Sequence, residues 1–96
     1  MESKDVHYAD IIANKEGDII QVDHIGNKGE IYYIIVLFSN GSCTRVTGVR
    51  SLAYDNIKYC QPATPEQKSL LKKYILAHPV KWVLGLYYKF INLLKI

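Results

Sequence analysis

Residues Ile31-Tyr32-Tyr33-Ile34-Ile35-Val36-Leu37-Phe38 make one unbroken run of β-branched, aromatic and aliphatic side chains, and Ser39-Asn40-Gly41-Ser42 follows at once. A half-solvated strand alternates apolar with polar residues, so a run without that alternation predicts a strand covered on both faces. Asn-Gly suits a type I′ turn, whose twist matches a two-residue hairpin. The chain is thereby committed to a sheet with this strand at its centre. Something beyond the sheet's own core must cover its second face, and the apolar C-terminal third is the segment available.

Two earlier clusters, Asn14-Lys15-Glu16-Gly17 and Gly26-Asn27-Lys28-Gly29, punctuate the chain at strand-like intervals. Each supplies residues that tolerate positive φ between runs rich in Ile, Val and Tyr, which predicts antiparallel strands joined by hairpins. Cys43 to Val49 reads as the return strand with Arg45 and Thr47 facing water, Ser51 to Asp55 as a short corner, and Asn56 to Cys60 as a last short strand. Gln61-Pro62-Ala63-Thr64-Pro65 ends the sheet, because proline removes a ladder donor.

A helix is expected from Pro65, with Thr64 as its N-cap and Glu66 and Gln67 at the positive end of its dipole. Leu70, Leu71, Tyr74, Ile75 and His78 share one face of it, and Pro79 interrupts it, so that His78 caps its end and a second helix opens at Val80. On that second helix Lys81, Gly85, Lys89, Asn92 and Lys95 occupy one sector, and apolar residues that include Trp82, Leu86, Tyr87 and Phe90 fill nearly all the rest. Leaving ten such side chains in water forfeits roughly 1.5 to 3 kcal/mol each, so the segment needs cover. Three covers suit it: the chain's own body or a second copy, a membrane interface with the lysines on anionic headgroups, or a groove in another protein. Spanning is not expected, because Lys81, Lys89 and Lys95 break any apolar run of about 20 residues.

Charge divides the chain in the same place. Residues 1–60 hold Lys4, Lys15, Lys28, Arg45, Arg50 and Lys58 against eight carboxylates, a net −2, whereas residues 61–96 hold six lysines against Glu66, a net +5. Any attraction to phosphate or anionic lipid belongs to the C-terminal third. The 96 residues suffice for one structural domain, with a β body over 1–61 and a basic, apolar helical extension over 62–96. The charged start, with no apolar run after it, predicts a cytoplasmic protein without a leader, and peripheral membrane attachment through the tail is compatible with that.

The residues that carry chemistry elsewhere are sparse. His7, His24 and His78 show no metal spacing, and Asp23 and His24, one apart on a strand, are expected to face opposite ways. Cys43 and Cys60 lack the close spacing of a zinc or redox pair and read as reduced thiols on neighbouring strands. No base is placed beside Cys43, and Gly26 and Gly29 lack the following helix of a phosphate loop. The expectation is a protein that is not an enzyme, with no cofactor and no metal. Nucleic-acid binding would fall to Tyr32, Tyr33, Tyr54 and Tyr59 for stacking, with Arg45, Arg50 and Lys58 on the backbone, but the body's net −2 opposes it.

Gly17-Asp18-Ile19-Ile20-Gln21-Val22, then Val36-Leu37-Phe38-Ser39-Asn40-Gly41, then Leu52 through Ile57, resemble in order an SH3-like small barrel over residues 6–60. There too a strand after a Gly-Asp turn leads to a long central hairpin, a one-turn helix and a final short strand. The hairpin and its sequel also look faintly like small β modules of phage and mobile-element proteins. The resemblance is architectural and implies a five-stranded antiparallel SH3-like barrel. The C-terminal third lies outside it, and with the two C-terminal α-helices read there from capping and spacing the expected class is α+β. The function expected is a non-catalytic module that binds a protein partner, as a regulator or inhibitor of a host or defence complex. Contact would run through Trp82, Leu86, Tyr87, Phe90, Lys81 and Lys89, with self-association into a dimer through the same helix as a further use.

Overall fold

A computed structural model describes residues 1–45 and 53–78 of the chain. Three hairpins of one design lay out its sheet. Asn14, Gly26 and Phe38 each donate an amide hydrogen four residues ahead, to Asp18 O (3.2 Å), Glu30 O (2.8 Å) and Ser42 O (2.8 Å). The glycine before each of those acceptors donates back, as Gly41 does to Phe38 O at 2.9 Å and Gly29 to Gly26 O at 3.0 Å. Each is a three-residue loop in which a type I turn ends on a left-handed residue. Gly29 (φ 83°) and Gly41 (φ 90°) supply that conformation without a Cβ clash. The two-residue type I′ turn expected at Asn40-Gly41 is corrected by this geometry, since only Gly41 of the two has positive φ.

The strands are β1 (Ile11–Ala13), β2 (Ile19–Ile25), β3 (Glu30–Leu37), β4 (Cys43–Arg45), β5 (Ala53–Asn56) and β6 (Gln61–Pro62). All pairings are antiparallel, in the order β4-β3-β2-β1-β6, with β5 also on β3. β4 pairs with Ile35 to Leu37 and β5 with Glu30 to Tyr32, so the two lie end to end along one edge of β3.

Two expectations fall here. Among the described residues the sheet has six strands, not five, and it is open: β6 at one end does not pair with β4 or β5 at the other, and no barrel closes. The physical reason lies in the last strand, which is two residues long and ends on Pro62, a residue with no amide hydrogen to give. The corner also comes later than expected. Residues 53–56 are strand, and the turn of 3-10 helix follows at Ile57–Tyr59, capped by Asn56, whose Oδ1 accepts from Lys58 N at 3.1 Å.

The sheet is buried on both faces. Ile12, Ile20, Val22, Ile31, Tyr33 and Val36 form one core with Ile57 and Cys60, and Met1, Val6, Phe38 and Tyr54 pack around it. Ile19, Ile35 and Leu37 form the other with Leu71 of α1 (Pro65–Ala77). The continuous apolar run of β3 is thus explained, with helix α1 as the cover of its second face. α1 starts with a full capping box, in which Gln67 N donates to Thr64 Oγ1 (3.1 Å) and Thr64 N to Gln67 Oε1 (2.8 Å). It stops at His78, whose amide donates to Tyr74 O at 3.0 Å. α1 is the one α-helix among the described residues, and the second helix expected from Val80 lies outside them.

Candidate functional site

α1 crosses the second face of the sheet from the β1–β6 side, where Ala63 N donates to Ile11 O at 3.2 Å, to the β4 edge. There Arg45 Nη1 donates to the carbonyl oxygen of His78, and the guanidinium lies 5.5 Å from the Tyr74 ring centre. The Tyr74 ring stacks in turn on His78 at 4.5 Å. Arg45 was expected to face water; a helix docked against its strand claims it instead.

Among the described residues a single helix lies on this face, narrower than the sheet beneath it, with an apolar groove on either side. One, of about 530 Å³, is floored by Ile11, Leu71 and Ile75 and edged by Gln21, Lys68 and Lys72. The other, of about 450 Å³, lies over Ile19, Leu37 and Phe38 and is bounded by Leu70, Lys73 and Tyr74. Both fall in the size range of ligand and peptide sites. Leu71 is fully buried, but Leu70 is 55% exposed and Leu76 76% exposed, so α1 presents leucines to solvent beside its lysines.

A polar cluster lies between the hairpins. Asp18 accepts from Ser39 N (2.9 Å), Asn14 Nδ2 (3.1 Å) and the Tyr54 hydroxyl. Asn14 Nδ2 also reaches Asp55 (3.0 Å), and Asn14 Oδ1 accepts from Asp18 N (2.9 Å) and Glu16 N (3.1 Å). Burial alone would raise the Asp18 carboxyl, but the hydrogen bonds from Tyr54, Asn14 and Ser39 outweigh it and hold the group below its ordinary value. Burial, followed by the Asp18 carboxylate, pushes Tyr54 up to about 12. These bonds tie the β1–β2 and β3–β4 loops to β5.

Asp23 and His24 do meet, with Nδ1 and Oδ2 2.7 Å apart, because the ladder between β2 and β3 shifts register at Val22/His24 and the simple alternation of faces fails. The His24 ring stacks on Tyr32 at 4.4 Å. Among the described residues no three His, Cys, Asp or Glu side chains are grouped to hold a metal. Cys43 is half-buried on β4, while Cys60 is buried in the other core, so the two thiols are free and not on neighbouring strands. Burial pushes the Cys60 thiol up to about 11.

The proposed nucleic-acid residues do not share a surface. Tyr33 is buried in the first core, edge-on to Tyr54 at 6.2 Å, whereas Tyr32 lies on the opposite face against His24. Arg45 is committed to α1, Lys58 lies 4.9 Å from the Tyr59 ring centre, and Arg50 is outside the described residues. Trp82, Leu86, Tyr87, Phe90, Lys81 and Lys89 lie outside them as well. No helix among the described residues is long and apolar enough to cross a membrane. The sequence reading missed the grooves, whose only local signal was Lys68 and Lys72 beside an inward face centred on Leu71. The chain matches no protein-family model, no curated protein and no solved structure.

Proposed function

We propose that the chain is a non-catalytic interaction module that binds a protein partner and acts by occluding that partner's surface, as a small regulator or inhibitor does. The observation that carries this reading is the pair of apolar grooves beside α1, with Leu70 and Leu76 left exposed along the same helix. Concave apolar floors with polar edges are the form taken by peptide and protein anchoring sites. Discrete concave floors of this size suit individual side chains of a protein partner, which favours that reading over a lipid surface. The free thiols of Cys43 and Cys60 suit a reducing compartment such as the cytosol.

The test is photo-crosslinking in cells that express the full chain. A benzophenone amino acid placed at Leu70 or Leu76 is expected to give a discrete protein adduct. The same probe at Lys4, on the side of the first core, is expected to give none. Adducts of equal intensity from all three positions, or none from the helix, would remove the proposal.

A further inference from the structure

The two grooves differ in charge, and that difference selects a ligand. The groove over Ile11, Leu71 and Ile75 carries Lys68 and Lys72 on its edge and no carboxylate in its lining. These lysines are four residues apart on α1, so both lie on one side of the helix and point along the same edge. Both are exposed, and neither forms an ion pair among the described residues. The other groove has Lys73 alone.

We infer that the Lys68–Lys72 groove receives an acidic, apolar segment of a partner protein: one or two large aliphatic or aromatic side chains on the floor, with Asp or Glu beside them meeting the two lysines. This rests on the protein-binding reading above and names the surface and the chemistry it selects. Residues 79–96 of the chain are a rival occupant with apolar side chains to offer, but they hold no Asp or Glu and so bring no side-chain carboxylate to meet Lys68 and Lys72. Polyanionic ligands without apolar groups would leave the floor of Ile11, Leu71 and Ile75 unfilled.

A random 12-residue peptide library displayed on phage and panned against the full-length chain tests this. Selected peptides are expected to pair Leu, Ile, Phe or Trp with Asp or Glu, and to bind less tightly as ionic strength rises. The double variant Lys68→Glu, Lys72→Glu alters only exposed side chains, and a circular-dichroism melt checks that it folds. It should weaken the selected peptides at least about tenfold, and Lys73→Glu much less. Peptides that bind equally well to the double variant would overturn the groove while sparing the protein-binding reading; no enriched peptide at all would overturn both. Flotation with phosphatidylglycerol vesicles that is lost in the double variant, without peptide selection, would replace the inference with a lipid surface. A dimer, seen by light scattering, that the double variant breaks would replace it with a second copy.

Discussion

Asp18 joins three stretches of chain that are far apart in sequence. Its carboxylate takes one hydrogen from the β3–β4 loop at Ser39, one from the β1–β2 loop at Asn14, and one from Tyr54 on β5. All three partners are donors, so an acceptor with two oxygens is required and an amide is the wrong group. Asp18→Asn turns an NH2 toward at least one donor, and a loss of about 1 to 3 kcal/mol is expected, measured by urea denaturation at pH 7. The pH dependence of that loss is a second readout. The native carboxyl lies below its ordinary value near 3.8, so its contribution is full above that value and is lost as pH falls through the native one. The gap between wild type and variant should therefore begin to narrow below about pH 4 and keep narrowing as pH falls further, and a gap that stays constant across that fall would mean the charge is not what the turns require. Tyr54 works in the opposite sense. Its hydroxyl titrates near 12, so the stability it adds is full below about 10 and disappears as pH rises through the native value.

At the scale of elements, the three-residue hairpins separate what a loop needs from what its neighbours need. A methyl group added at Gly41 meets nothing within 4 Å, whereas at Gly29 it comes within 2.8 Å of Asn56 Oδ1 and 3.2 Å of Nδ2. Gly41→Ala should cost about 1 to 2 kcal/mol, the penalty of a left-handed alanine alone. Gly29→Ala should cost about 1 kcal/mol more, because Asn56 also holds Lys28 O (3.0 Å) and the start of the 57–59 turn. Equal thermal denaturation midpoints for the two variants would contradict this. The same contacts mark the limit of sequence reading. The start of α1 was legible because a capping box spans only Thr64 to Gln67, and β3 because its composition is continuous. The corner at 57–59 was misplaced because it is fixed from outside, by Gly29 O accepting from Ile57 N at 2.8 Å and by Asn56 reaching Lys28, about 28 residues back along the chain. Openness of the sheet was hidden for a related reason: the prolines were visible, but the absence of a ladder from β6 to β4 or β5 is a property of the whole arrangement.

For the whole molecule, one sheet carries two unequal cores. The first is closed by strand, turn and N-terminal residues together, and Met1 is tied in by its amino group at 3.2 Å from Cys60 O. The second depends on α1, which holds to the sheet through Leu71, Tyr74 and Ile75 and the Arg45 bond to its last turn. The candidate site arises from that inequality: among the described residues one helix covers a wider face and leaves the grooves beside it, a relation no single segment encodes. The charge of +5 beyond residue 60 and the apolar face of Leu70, Leu71, Tyr74 and Ile75 on the helix were readable beforehand; the width of the sheet beneath that helix was not. β2 and β3 are hydrogen-bonded along both edges and packed on both faces, whereas α1 contacts the body on one side, so local opening should begin at the helix. Native-state hydrogen exchange is expected to show the amides of α1 opening at lower free energy than those of Ile20, Val22, Tyr33 and Val36. Leu71→Ala, which removes the fully buried anchor of α1, should lower global stability by about 2.5 to 5 kcal/mol and speed exchange along α1. If α1 is as protected as β3 in the wild type, then helix and sheet open as one unit, and the grooves are walls of a rigid body instead of margins of a docked element.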